Sequence, residues 1–230
     1  MPAEAPAEPK PLLLLGAKVL DPAGRRLLDD RAVLIEHGRI TTVAPASSIR
    51  LDDNRDVLDL SGLVLIPGLI DLHTHLLLHP YDEASWNDQV LKEPLGLRTA
   101  RAVAAAEATL HAGFTTIRDL GTEGAGYADV GIREAIRLGV VPGPRVYAVT
   151  RAIVATGCYG PSGFDPRWSM PKGAQVADGV DGVRRAVREQ IAAGADWIKV
   201  YADYRRRPGE RPTPTFSLEE LRAIVAEANS

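Results

Sequence analysis

The amino-acid sequence predicts an α/β fold in which a small β segment precedes alternating strands and helices. Residues 11–62 contain short apolar runs separated by turn residues, a pattern typical of antiparallel strands and hairpins. From Val64 onward, apolar runs of strand length alternate with amphipathic stretches of helical period. The chain has 230 residues, of which 45% are hydrophobic, so it can bury a sizeable core. That composition excludes a mainly disordered protein.

Charge and cysteine content exclude further classes of protein. The 27 basic and 30 acidic side chains give a net charge of −3, without the basic surplus of a nucleic-acid-binding protein. The single cysteine, Cys158, excludes an internal disulfide framework. No run approaches the roughly 20 apolar residues of a membrane span, and no secretory signal is evident, so a cytoplasmic location is expected. Residues 1–10, rich in Pro, Ala and Glu, are predicted to form a disordered tail.

Four short strands are expected in the N-terminal segment, and four strand–helix units after it. The first group comprises Leu12–Leu20, Ala32–Glu36, Ile40–Val43 and Val57–Leu60. The later strands are Val64–Ile70, Phe114–Asp119, Arg145–Val149 and Asp196–Tyr201. Helices are predicted near Leu95–His111, Ala128–Leu138 and Asp178–Ala193, and a last one opens with the capping box Ser217–Glu220.

Alternating strands and helices favour a parallel sheet, either open and doubly wound or closed into a barrel. The near-continuous apolar run Val64–Ile70 predicts a strand buried on both faces. A closed barrel needs eight strand–helix units, whereas this chain supplies four. The long segment 150–177, rich in glycine and proline, is expected to be a loop.

The first candidate site is a histidine pair at the end of the apolar strand. His73 and His75 are two residues apart, so their side chains lie on one face of an extended chain. They follow the carboxyl end of the strand, where α/β folds place their chemistry. Neutral imidazoles in this arrangement suit zinc and other first-row metals. The alternative is that both are polar loop residues that cap neighbouring groups.

The second candidate is a lysine inside an apolar strand. Strand alternation places Trp197, Lys199 and Tyr201 on one face of Asp196–Tyr201. A buried ammonium must be paired, neutralised or chemically modified. Lys199 can therefore form a carbamate with carbon dioxide and bridge two metal ions, or it can pair with Asp119 or another carboxylate.

Four segments in register resemble the amidohydrolase superfamily, and more closely its imidazolonepropionase-like and Xaa-Pro or Xaa-Arg dipeptidase branch. The segments are IPGLIDLHTH, AGFTTIRDLG, GPRVYAVTRAIVATG and GADWIKVYAD. The resemblance implies the N-terminal part of a metal-dependent hydrolase (β/α)8 barrel, with residues 63–230 forming its first half. Residues 11–62 would form part of a composite β-sandwich.

The resemblance also implies roles for the candidate residues. His73 and His75 would bind one divalent metal ion, most simply zinc, and a carbamate on Lys199 would bridge it to a second. Asp71 is expected to make an ordinary strand-end hydrogen bond. The reaction would be hydrolysis of a C–N bond in a small amide, dipeptide or cyclic amide by metal-activated water.

Part of the expected active site is not found in this sequence. The superfamily also uses histidines after strands five and six and an acid–base aspartate after strand eight, which are expected beyond Ser230. Among the other candidates, His79 is expected to be a solvated loop residue and Cys158 a small buried filler. A missing C-terminal half or partner chain is therefore expected, and the isolated chain should form homo-oligomers. The alternatives are a non-catalytic half-barrel and a metal-binding partner subunit.

Overall fold

The structure is a computed structural model, and it describes residues 10–50, 52, 54–165, 167–205 and 209–230. The chain forms two compact units, Met1–Pro67 and Gly68–Ser230. The tail predicted at residues 1–10 lies outside the described residues except for Lys10, which is exposed. In the described ranges, no helix is long and apolar enough to cross a membrane.

The first unit is one five-stranded sheet. Its strands are β1 (Leu12–Asp21), β2 (Arg26–Glu36), β3 (Arg39–Pro45), β4 (Asp56–Asp59) and β5 (Val64–Leu65). The order is β3-β2-β1-β4, with β5 also paired to β1. The β1–β2 and β2–β3 pairs are antiparallel, but β4 and β5 run parallel to β1, so the all-antiparallel prediction is wrong there. Leu13, Ala32 and Leu34 form the core of this unit.

The apolar run Val64–Ile70 is not one strand. It is divided at Ile66, Pro67 and Gly68, so that β5 completes the first sheet and β6 (Leu69–Thr74) opens the second unit. Proline has no backbone N–H for a strand ladder, which accounts for the break. The prediction of burial on both faces is also wrong, because within the described residues β6 pairs only with the strand β7 that follows it, and Ile70 is 61% exposed.

Parallel strands and helices alternate in the second unit, as predicted. The strand order is β6-β7-β8, with β7 at Phe114–Asp119 and β8 at Arg145–Ala148. The helices are α1 (Trp86–Lys92), α2 (Leu95–His111), α3 (Ala128–Arg137), α4 (Gly179–Ala192) and α5 (Leu218–Ala228). The predicted capping box of α5 is present: Ser217 accepts a hydrogen bond from the Glu220 N–H, and Glu220 accepts one from the Ser217 N–H.

Short strand pairs interrupt the long connections. β9 (Ile153–Val154) runs parallel to β10 (Gln175–Val176), so the segment 150–177 is not wholly a loop. β11 (Asp203–Tyr204) pairs antiparallel with β12 (Thr213–Pro214).

The predicted fourth strand, Asp196–Tyr201, does not form a regular ladder. Only Val200 makes a bridge, to Ile153 of β9. The cause lies at its first residue, where the Asp196 carboxylate accepts the Ala148 N–H at 2.8 Å. The Asp196 side chain therefore occupies the Ala148 N–H of β8, which would bond to a backbone carbonyl if a regular strand lay alongside.

Three apolar clusters lie in the second unit, the smallest formed by Ala152, Val154 and Ala174. Of the two larger clusters, one lies between the β7–β8 face and helices α2 and α3, and its buried members include Ala102, Ala106, Ile117, Ile132 and Val146. The other joins α4 and α5 to the segment around β9, with Val183, Val187, Phe216 and Ile224 buried. Ile198 and Val200 pack against this second core. The alternation predicted for residues 196–201 thus persists without a regular strand, and Lys199 lies on the opposite face.

Candidate metal centre

The histidine pair lies at the carboxyl end of β6. The rings of His73 and His75 have centroids 5.4 Å apart and planes tilted by 58°. The Asp71 carboxylate accepts the backbone N–H of His73 at 2.9 Å. Asp71 thus makes the ordinary strand-end hydrogen bond that was expected of it, and the extended backbone brings the two imidazoles together.

The orientation of His75 is fixed through one ring nitrogen. Its Nδ1 lies 2.9 Å from the carbonyl oxygen of Gly121, in the loop after β7. A carbonyl only accepts hydrogen bonds, so Nδ1 carries the proton and donates. Nε2 is then the lone-pair nitrogen of a neutral ring. Metal-binding histidines usually have this arrangement, with the second nitrogen bonded to a carbonyl or carboxylate.

His73 is held in its neutral form as well. Burial lowers the pKa of His73, and the positive charges of Lys199 and Arg118 lower it further. The Asp71 carboxylate opposes them more weakly. Arg118 is placed beside this segment by a hydrogen bond from its Nε to the carbonyl oxygen of Leu72, the residue before His73. A neutral imidazole is the form that coordinates a metal ion.

Lys199 is partly buried and makes no ion pair in the described part of the chain. Burial lowers its pKa, and the carboxylates of Glu123 and Asp119 oppose that effect. Its Nζ lies 4.8 Å from the centre of the Tyr201 ring. The sequence alternative, an ion pair between Lys199 and Asp119, is therefore not formed.

Asp119 is the last residue of β7, and its side chain is fully buried. Neither of its carboxylate oxygens makes a hydrogen bond of normal geometry within the described residues. Burial raises the pKa of Asp119 well above its usual value, and the charge of Asp129 raises it further. The Asp119 carboxyl is therefore protonated at a pH where an exposed aspartate is ionised.

Aromatic side chains from several loops form a cluster beside Lys199. Tyr159 stacks on Tyr201, with centroids 4.4 Å apart, and contacts Trp86 and Tyr204 edge-on. Burial, followed by the Glu123 charge, raises the pKa of Tyr159. Burial also raises the pKa of Tyr201 to about 12. Both phenols therefore keep their protons at neutral pH.

Two cavities adjoin this cluster. The larger, of about 720 Å³, is lined by Tyr159, Tyr201, Tyr204, Lys172 and Arg205 among others. The smaller, of about 440 Å³, shares Tyr159 and Tyr204 with it. Neither histidine lines either cavity. The aromatic cluster therefore forms a wall of both cavities, and the contact between Tyr201 and the Lys199 amine connects that wall to the proposed ligands.

Sequence reasoning missed Glu123, which is buried in the loop after β7 and contacts three side chains of this region. A carboxylate in the glycine-rich segment directly after a strand end was the available signal. The expectation for His79 is wrong: its ring is 12% exposed and lies 2.8 Å from both Glu83 and Glu93. Cys158 is half-buried against both neighbouring apolar clusters rather than fully buried.

The residues present fit part of a metal site. Two imidazoles, of which His73 has a lowered pKa, and one amine of lowered pKa supply nitrogen ligands suited to first-row metals. The described residues contain no group of three or more His, Cys, Asp or Glu placed to hold a metal ion. A metal ion at the histidine pair would therefore need Lys199 as a further ligand, or ligands that lie outside the described residues.

The sequence of the second unit matches a known protein family. The model of the amidohydrolase family matches residues 64–230, which include both histidines and Lys199. The chain belongs to the amidohydrolase family. The resemblance predicted from the four motifs is confirmed, as is the parallel strand–helix fold of the N-terminal part of that barrel.

Individual relatives place the chain more closely within the family. It is 36% identical over 189 residues to ochratoxinase of Aspergillus niger, and 26% identical over 223 residues to an imidazolonepropionase of Micrococcus luteus. The crystal structure of a prolidase complexed with N-methylphosphonate-L-proline is similar, with a TM-score of 0.80, 33% identity and 95% of this chain covered. A Xaa-Pro dipeptidase structure with bound methionine has a TM-score of 0.78 at 27% identity and the same 95% coverage.

The chain spans only part of these relatives. The matches cover 72% of this chain but 37% of the ochratoxinase, and 90% of this chain but 50% of the imidazolonepropionase. The prolidase match covers 53% of that chain, and the Xaa-Pro dipeptidase match is likewise to a longer protein. This chain thus corresponds to about half of an amidohydrolase domain.

Proposed function

We propose that this protein is a metal-dependent amidohydrolase that cleaves a C–N bond in a small amide or dipeptide. In this proposal the chain supplies the ligands of the N-terminal half, His73, His75 and Lys199. The observation that carries it is the His75 Nδ1–Gly121 hydrogen bond, which leaves Nε2 free beside a neutral His73. The family membership of the segment supports it.

The metal is proposed to be zinc, because imidazole nitrogens and a carbamate oxygen are ligands that zinc accepts. A divalent ion at this position would lower the pKa of water and polarise the substrate carbonyl. The chain's own residues do the rest of the work in this half of the site. Gly121 orients His75, Asp71 fixes the backbone at His73, and burial lowers the pKa of His73, which favours its neutral form.

Lys199 is proposed to act as a carbamate. The neutral Nζ attacks the carbon of carbon dioxide, and the N–C bond forms as one C=O π bond breaks and its electrons move to oxygen. The nitrogen then loses a proton to solvent, so a neutral amine becomes an anionic carbamate. The lowered pKa of Lys199 increases the fraction of neutral amine available for this step. The new negative charge would also meet the positive charge of Arg118, which lies nearby.

The cavity walled by Tyr159, Tyr201 and Tyr204 is proposed to hold a substrate side chain. Its volume of about 720 Å³ is within the range of small-molecule sites. The prolidase relative was crystallised with a proline-based phosphonate, so Xaa-Pro dipeptides are the first substrates to test here. The remaining ligands and the acid–base group are proposed to come from further chain or from a partner subunit.

The test measures metal content and dipeptide hydrolysis together, in protein expressed from the complete reading frame that contains this chain. His73→Asn should lose bound zinc and activity. His111→Asn, at an exposed histidine on α2, is the matched control and should retain both. A wild-type protein that hydrolyses dipeptides after complete removal of metal would contradict the proposal, and so would one that binds no metal.

A second arm tests the carbamate. Lys199→Ala should lose activity, and short carboxylates such as acetate should restore part of it by replacing the missing anionic ligand. Unchanged metal content in Lys199→Ala, with no rescue by carboxylates, would argue against a bridging lysine and leave the histidine pair as the only part of the proposal.

A further inference from the structure

One buried carboxylate joins the segments that follow β6, β7 and β9. Glu123 lies after β7 and is 1% exposed. Its Oε2 accepts hydrogen bonds from Trp86 Nε1 at 2.9 Å and from the Tyr159 hydroxyl at 2.7 Å. Its Oε1 lies 3.8 Å from Nδ1 of His75. A single side chain thus contacts the aromatic wall on one side and a proposed metal ligand on the other.

The backbone at Glu123 shows that its placement is enforced. Glu123 has a φ of +51°, a left-handed conformation that residues with a Cβ rarely adopt. Such strain persists only where surrounding contacts over-determine it. Here the next residue, Gly124, donates its N–H to the Gly173 carbonyl at 3.0 Å, and Trp86 packs so closely on Gly173 that a Cβ there would clash.

The hydrogen bonds of Glu123 are connected to Lys199 through the aromatic rings of Tyr159 and Tyr201. Tyr159, held at its hydroxyl by Glu123, stacks on Tyr201, and the Tyr201 ring lies 4.8 Å from the Lys199 amine. Tyr159 also lines both cavities. Moving the Tyr159 hydroxyl would therefore change both the shape of the cavities and the surface against which Lys199 lies.

We propose that Glu123 is a positioning residue, whose buried carboxylate fixes Tyr159 and Trp86 as the wall of the substrate cavity and holds the His75 ring against Gly121. Its hydrogen bonds are charge-assisted, because the acceptor is a carboxylate, and such bonds are the strong ones. The part of this proposal that concerns substrate rests on the proposed hydrolase function. The part that concerns the wall does not.

The wall is tested first, without metal or substrate. Trp86 reports on Glu123 directly through its Nε1 hydrogen bond, but Trp168 and Trp197 also fluoresce. Glu123→Gln is therefore compared in two backgrounds, the wild type and Trp86→Phe. The substitution should change the emission maximum and increase acrylamide quenching in the first background only. An equal change in both backgrounds, or none in either, would overturn the proposed wall.

The second test is a double-mutant cycle on KM. Glu123→Gln and Tyr159→Phe should each raise KM about tenfold, since each weakens a hydrogen bond to a charged group. Because both disturb one interaction, the double variant should be no worse than the more severe single variant. Multiplying effects would show that the two residues act independently and would overturn the positioning role. Glu107→Gln, on the exposed face of α2, is the matched control and should leave KM unchanged.

The third readout is the His75 contact. Glutamine at position 123 can keep an oxygen toward Trp86 and Tyr159, but it then presents its amide N–H groups to the Nδ1–H of His75. Glu123→Gln should therefore weaken zinc retention in dialysis, whereas Tyr159→Phe should not. Equal retention in Glu123→Gln and wild type would overturn the His75 part of the proposal. If the wild type binds no zinc and hydrolyses nothing, the proposed function fails, and the fluorescence comparison still decides the role of Glu123 in the wall.

Discussion

Asp129 provides the most direct test of the electrostatics around β7 and β8. It lies fully buried in the first turn of α3, where its carboxylate accepts the N–H groups of Thr150 and Val130. Burial nevertheless raises the pKa of Asp129 from 3.8 to about 6. A carboxyl whose folded pKa is raised favours the folded state most at low pH. That stability is lost as the pH rises through the folded pKa.

The magnitude follows from the two pKa values. At pH 8 the carboxyl is ionised in both states, and its raised pKa costs about 3 kcal/mol of folding free energy. At pH 5 the folded carboxyl is mostly protonated, and about half of that cost remains. Asp129→Asn removes the titration altogether. Its stability relative to wild type should therefore improve by about 1 kcal/mol between pH 5 and pH 8.

Urea denaturation at the two pH values, followed by tryptophan fluorescence, measures this difference. Trp86, Trp168 and Trp197 all lie in the second unit, so the signal reports the unit that contains Asp129. Any hydrogen bond lost in Asp129→Asn is lost at both pH values and cancels. The control is Asp181→Asn, at an exposed aspartate in the first turn of α4, which should show no such pH dependence. A relative stability that is constant, or that falls toward pH 8, would refute the reasoning.

Three further outcomes are expected. Arg98→Met should lower the free energy of unfolding, measured by urea denaturation, by about 3 kcal/mol. The buried guanidinium donates to the carbonyls of Leu77 and Thr122, which the substitution would leave without a partner. A loss near zero would mean that water replaces the guanidinium. Ser217→Ala should cost about 1 kcal/mol by removing the cap of α5, and Ser217→Asp, which restores an acceptor, should recover it. Since the pKa of His73 is lowered from 6.5, dialysis at decreasing pH should release zinc only below that value, and release centred above it would contradict a neutral His73.

Local patterns in the sequence predicted most of the second unit. The helix α2 and the strand β7 have the predicted bounds, because each is delimited by local signals such as the glycine after α2. The capping box of α5 was equally readable, since its partners are three residues apart. The histidine pair belongs to the same class, because two residues at this spacing share a face of any extended chain.

Predictions that depended on distant residues were less accurate. The run Val64–Ile70 is apolar throughout, yet pairing divides it between two sheets at Pro67. Asp196–Tyr201 has the composition of a strand, yet the Asp196 side chain takes a backbone donor of β8 and breaks the ladder. In both segments, strand formation depends on which distant group bonds to the backbone, and the amino-acid composition of the segment does not indicate that partner.

The sequence by itself determined the family, the alternation of strands and helices, and the residue types proposed to bind metal. Those properties follow from local patterns or motifs, so they can be predicted without knowing how the chain packs. Only the tertiary structure decided that Gly121 orients His75, that Lys199 has no carboxylate partner among the described residues, and that Glu123 joins Trp86 to Tyr159. The reason is physical: hydrogen bonds and charge effects depend on distances of a few ångströms between residues that lie 36 to 46 positions apart in the chain.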